Sequence, residues 1–137
     1  MRGIPEIHKI IPGGLMMYHS DIQIAWEHAQ KLGQRKKHVS IILRNKCIAS
    51  IQGNGFEVPS QYAYRGYRSL HSEIHAFMKM QGPKDNLTLL NFRFNNAGQL
   101  RMAKPCKICM PWCEAVFDKI IYSDSTGQLV ELKGIKR

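Results

Sequence analysis

The sequence predicts one α/β sandwich, in which helices cover a single mixed sheet of five strands. Three observations carry that prediction. Short apolar runs and helix-period segments follow one another in the order α-β-β-α-β-α-β-β, the pattern of helices laid on a sheet. The 137 residues are the length of one ordinary domain, and a hydrophobic content of 44% is enough for a packed core. Only Ser125-Thr126-Gly127 separates the last two strands, too little for a parallel crossover, so that pair is predicted antiparallel.

Residues 1–20 carry Pro5, Pro12 and Gly13-Gly14 and read as an irregular N-terminal arm of a single domain spanning 1–137. Asp21 is placed to cap a first helix running to about Leu32, with Ile22, Ala25, Trp26 and Ala29 on one face, and Gly33 ends it. His38–Arg44 and Cys47–Gln52 alternate as strands around an Asn45-Lys46 turn, a hairpin. The long connection 53–68 is rich in Gly, Tyr and Arg, and loops of that length in compact domains are usually functional. A second helix is expected over Ser69–Met80, closed by Gly82-Pro83, then a strand over Asn86–Phe94 and an Asn95–Gly98 turn. An extended piece, Gln99–Ala103, leads to a third helix over Cys106–Asp118, with Pro111 tolerable only near its first turn. Strands Lys119–Ser123 and Gln128–Lys133 complete the order. Trp26 and Trp112 read as core, and Cys47 and Cys113 as small buried hydrophobes.

Charge narrows the partners. Twenty Lys+Arg against ten Asp+Glu give a net +10, which suits a polyanion, nucleic acid before an anionic membrane. The longest apolar runs, such as Val39–Leu43, are strand-sized, far short of the ~20 residues of a spanning helix. The N-terminus lacks the apolar stretch of a secretory signal, and the four cysteines do not form a secreted disulfide framework. An intracellular setting is the expectation, with no membrane partner.

Two short pieces carry chemistry: His71-Ser72-Glu73, and Pro105-Cys106-Lys107-Ile108-Cys109. A C-x-x-C at a helix start puts two thiolates on one face, within reach of one cation. Two sulfurs and one imidazole leave the fourth position of a tetrahedral zinc open for water, whose pKa the metal lowers. A carboxylate two residues after the ligand histidine, at the mouth of the helix, can take that proton and deliver it to a substrate. Glu73 holds that position. The wider run Tyr62, Tyr64, Arg65, Tyr67 and Arg68 feeds His71 and is expected at the pocket rim, its tyrosines able to stack on unpaired bases and its arginines able to pair with phosphate.

From about Asp21 to Leu132 the chain resembles the cytidine deaminase superfamily, on LHSEIHAF, KPCKIC and the order of elements. H-x-E…P-C-x-x-C is the signature of zinc deaminases. The resemblance implies a three-layer cytidine-deaminase-like sandwich, Zn²⁺ on His71, Cys106 and Cys109, and Glu73 as general acid/base. It also implies Asn54, just after the second strand, as a contact to the substrate sugar or base. Ser72 departs from the pattern, which commonly has Ala there. An ending in two antiparallel strands resembles the branch that includes free cytidine deaminases, organellar RNA-editing domains and toxin deaminases, which act mostly on cytosine. The expectation is hydrolytic conversion of cytosine to uracil in single-stranded DNA or RNA.

Other readings stand beside it. His75, four residues beyond His71, would complete a structural zinc site. A redox C-x-x-C would need no His-x-Glu partner. The metalloprotease motif is excluded, because the order is His-x-Glu-x-His rather than His-Glu-x-x-His. A deaminase of free (deoxy)cytidine or deoxycytidylate is one alternative function, and a non-catalytic zinc-containing nucleic-acid-binding module is another.

Overall fold

The computed structural model describes residues 8–31, 37–53 and 71–135. Its elements in chain order are β1 (His8–Ile10), α1 (Gly14–Met17), α2 (His19–Gln30), β2 (Lys37–Arg44), β3 (Cys47–Gly53), α3 (Ser72–Lys79), β4 (Leu87–Phe94), β5 (Leu100–Arg101), α4 (Cys109–Val116), β6 (Lys119–Ser123) and β7 (Leu129–Lys133). The strands form one seven-stranded sheet in the order β1-β7-β6-β4-β2-β3, with β5 paired to β4 off that path. The five expected strands are all present, and β1 and β5 add to them. β4 and β6 are the parallel pair, and the final pair β6–β7 is antiparallel as expected.

Strand alternation sorts the core into two layers, one on each face of the sheet. Leu87 and Leu89 of β4, with Ile42, Ile120 and Leu132, pack under Ala76 of α3 and Cys109, Met110 and Cys113 of α4. Leu90, Phe92 and Phe94 point the other way and pack, with Val39, Ile41 and Ile121, under Ala25 and Ala29 of α2. Helix, sheet and helix therefore make three layers. Both tryptophans seal their layers edge-on: Trp26 tilts against Phe94 with centroids 5.3 Å apart, and Trp112 meets Phe77 at 5.3 Å and Phe117 at 5.8 Å. The second cluster joins α3 to α4, the two helices that carry the motifs.

Four expectations need correction. Residues 1–20 are not irregular throughout, because β1 pairs with β7 (His8↔Leu132, Ile10↔Val130) and α1 follows at once. Gly13, at φ 68, makes the left-handed turn between them. The α2 helix begins at His19, with Tyr18 at its cap, so Asp21 lies in the first turn and caps nothing with its side chain. Cys47 is exposed at the start of the edge strand β3, whereas Cys113 is buried as expected. The third helix also starts later than expected, at Cys109, which puts Pro111 in its first turn, where the missing N–H costs nothing.

Candidate active site

The two motifs meet because each begins a helix on the same face of the sheet. β3 ends at Gly53, and α3 opens at Ser72 with His71 as its cap in extended conformation (φ −64, ψ 144). The chain from β4 and β5 reaches α4, which begins at Cys109. Ser50 of β3 anchors α3 from below, its buried hydroxyl donating to the Ala76 carbonyl at 2.7 Å.

His71 Nδ1 lies 3.3 Å from Cys109 Sγ and 3.9 Å from Cys106 Sγ, and all three donor atoms fall within 4.8 Å of one another. Those distances can be tested against zinc. With Zn–S of about 2.3 Å and Zn–N of about 2.0–2.1 Å at tetrahedral angles, sulfur and nitrogen ligands sit about 3.6 Å apart. The two observed separations straddle that value, so the donor set and its spacing fit the ion. The Cys109 backbone N–H also donates to Cys106 Sγ at 3.4 Å, which fixes the two cysteines relative to each other.

Among the described residues the group able to hold a metal contains neither His75 nor Cys113. His75 Nδ1 sits 2.8 Å from the Gly53 carbonyl, a bond the ring must donate, and this ties α3 to the end of β3. Burial, reinforced by the nearby Glu73, Cys109 and Cys106 charges, pushes the Cys113 thiol far up and keeps it a thiol. The structural-site alternative thus loses the fourth ligand proposed for it.

Glu73 is 2% exposed and lies in the first turn of α3, where the helix N-terminus favours an anion. A buried carboxylate needs hydrogen-bond donors, and they come from residues that sequence reading passed over. Asn91 of β4, fully buried, places Nδ2 3.4 Å from Glu73 Oε2 and 2.7 Å from the Ala103 carbonyl. The carbonyl only accepts, which fixes the amide's orientation. His38 Nε2 lies 3.1 Å from the same Nδ2, so three neighbours share the amide's two hydrogens. Ser40 donates its hydroxyl proton to Asn91 Oδ1 and accepts from Ser72 Oγ at 2.7 Å. Ser72 Oγ also stands 3.3 Å from Glu73 Oε1. The residue that departs from the deaminase pattern is therefore part of a buried chain Ser72–Ser40–Asn91–Ala103. That chain links α3, β2, β4 and the segment leading to Cys106. A polar residue within an apolar strand was the available signal for Asn91. Its partner Glu73 is 18 residues away, so no local spacing reveals the pairing.

The structure thus brings His71, Cys106, Cys109 and Glu73 together. Asn54, Tyr62, Tyr64, Arg65, Tyr67 and Arg68 lie outside the described residues, as do Arg35 and Lys36.

No family profile matches the sequence, and no curated protein matches it. Among solved structures the chain is similar to the crystal structure of a dCMP deaminase from the cyanophage S-TIM5 in apo form. The TM-score is 0.58 at 20% identity, over 81% of this chain and 85% of that one. The mixed sheet, the helices on its two faces and the order of elements agree with that likeness. This chain has the cytidine-deaminase-like fold.

Proposed function

We propose that this protein is a zinc-dependent hydrolase that converts cytosine to uracil in single-stranded DNA or RNA. The observation that carries the reading is the His71, Cys106 and Cys109 donor group with the buried carboxylate Glu73 in the same helix mouth. Those three residues would hold a zinc ion, which would supply activation of a water molecule near neutral pH. Glu73 then moves protons at its carboxylate oxygens, from the attacking water to the base and on to the leaving amine. Asn91 Nδ2 lies within hydrogen-bond reach of that carboxylate, and the Ser72 hydroxyl, which gives its proton to Ser40, stands beside it. Both cytosine and a polynucleotide rest on sequence: the antiparallel end of the sheet supports the first, and the net charge of +10 supports the second.

A second reading has an observation of its own. The similar solved structure is a dCMP deaminase, which favours a deaminase of free nucleotides. The non-catalytic module is disfavoured by the desolvation of Glu73, since keeping a carboxylate 2% exposed costs stability that a mere binding fold has no use for. No helix among the described residues is long and apolar enough to cross a membrane.

Incubating the zinc-loaded chain with cytidine, deoxycytidylate and a cytosine-containing oligonucleotide, and measuring uracil in each, tests the proposal. Uracil in the oligonucleotide, with turnover falling steeply as salt rises, is expected for a substrate bound through phosphates. Salt-insensitive conversion of deoxycytidylate alone would replace the polynucleotide reading with the nucleotide one. No uracil from any substrate would remove the deaminase reading.

A further inference from the structure

On the sheet face that carries the site, the strand register lines up three basic residues. His38 of β2 lies opposite Arg93 of β4, and Arg93 lies opposite Arg101 of β5. Directly opposed residues share a face, and neighbours two positions away identify which face it is. Asn91, two before Arg93, bonds Glu73. Ser40, two after His38, bonds Asn91 and Ser72. Ala103, two after Arg101, is buried in the core layer beneath α3 and α4. The row therefore runs one side-chain repeat, about 7 Å, beyond the amide that touches Glu73. It also lies at the carboxyl end of β4, beyond its last pair with the parallel strand β6, at the end of an α/β sheet where ligands collect.

The permanent charge in that row is two guanidinium groups on directly opposed positions. Like charges directly opposite in a sheet are destabilising. Among the described residues no carboxylate pairs with either arginine, and the Arg101 side chain bonds the neutral Gln99 amide oxygen at 3.1 Å. Guanidinium forks match the oxygens of a phosphate, which would also relieve the repulsion.

We infer that Arg93 and Arg101 form a phosphate-binding ledge beside the catalytic pocket, so that the substrate is a phosphate-bearing cytosine rather than a free nucleoside. The phosphate is either the terminal group of a nucleotide or a phosphodiester of a strand. The inference rests on the deaminase reading of the adjoining site.

The test uses the full zinc-loaded chain, as wild type, Arg93→Gln, Arg101→Gln and the double variant. KM and kcat are measured for cytidine, deoxycytidylate and a single-stranded oligonucleotide, alongside equilibrium binding of the last two. Loss of one charge-assisted hydrogen bond is expected to raise KM for the phosphate-bearing substrate ~10–100-fold, with kcat nearly unchanged. Turnover of cytidine should not change. A rise for deoxycytidylate identifies a terminal phosphate, and a rise for the oligonucleotide alone identifies a phosphodiester. Equal losses for cytidine, or no loss for any substrate, overturn the ledge. Arg101 is exposed, so its variant carries the test even where Arg93→Gln lowers the melting temperature. If nothing is deaminated but both variants weaken binding, the ledge stands and the deaminase reading falls. If binding is unweakened, the ledge falls whatever the turnover.

Discussion

At the scale of single residues, the proposed deamination assigns Glu73 the movement of protons and Asn91 the placing of Glu73. Glu73→Gln keeps the shape and the hydrogen-bonding capacity of the side chain but cannot shuttle a proton. Turnover should fall by about 10²–10⁴-fold while zinc content and melting temperature stay near wild type, measured by uracil release, metal analysis and a thermal scan. Asn91→Ala should behave differently. It leaves the Ala103 carbonyl and a buried carboxylate short of a donor, at a cost of about 1–3 kcal/mol in denaturant unfolding. Its kcat should fall with KM little changed, and a variant as active as wild type would show that Asn91 plays no part in placing Glu73. The meeting of His71, Cys106, Cys109 and Glu73 was legible in the sequence because each pair sits within a few residues at a helix start, where spacing alone fixes the face. Asn91, Ser40 and His38 were not. Their roles depend on which strands become neighbours, and β2–β4 pairing is set by the whole sheet.

The longer elements were predicted to within a few residues, and the shortest were missed or read only as extended chain. β1 is three residues long and finds its partner more than a hundred residues away, at β7, so nothing near it announces a strand. β5 is shorter still and exists because the end of β4 extends beyond β6. The turn between β6 and β7 illustrates the local case. Although partial burial pulls the Asp124 carboxyl upward, hydrogen bonds from the Thr126 hydroxyl and the Gln128, Thr126 and Gly127 backbone hold it below the ordinary aspartate range. A depressed acid stabilises the fold above its unfolded pKa and loses that contribution as pH falls through the folded one. Wild type should therefore be more stable than Asp124→Ala at neutral pH, and the difference should shrink as pH falls through the depressed folded-state pKa. Past the end of β7 the chain is held by backbone. Gly134 N–H donates to the Asp118 carbonyl, and Ile135 N–H to that of Glu114. A Cβ on Gly134 would stand 1.8 Å from the Phe117 carbonyl oxygen, which no side-chain adjustment relieves. Gly134→Ala should lose about 3 kcal/mol or more. Gly127→Ala, whose Cβ would meet nothing closer than 3.6 Å, should lose only about 1 kcal/mol to its left-handed backbone.

Across the whole molecule, the fold class was readable because helix and strand periods alternate and the last connection is too short to cross over. The tyrosine- and arginine-rich run before His71 was readable only as composition, having no period, and it lies outside the described residues. The parallel pairing of β4 with β6 has a consequence for the order of events in folding. His71 stands at the start of α3, which packs on β2 and β3, while both cysteines lie inside the connection that must close before β6 can align with β4. Parallel closures of this kind pay their loop entropy before contacts reward it, and so form late. A metal that needs all three side chains can then grip only a chain that is already nearly native. Zinc should slow unfolding by close to the whole of the stability it adds, and leave the refolding rate almost unchanged. Stopped-flow refolding and unfolding, with zinc and with a chelator, would show it. A refolding rate that climbed with zinc would mean that the ligand cluster assembles early, ahead of the sheet's central pairing.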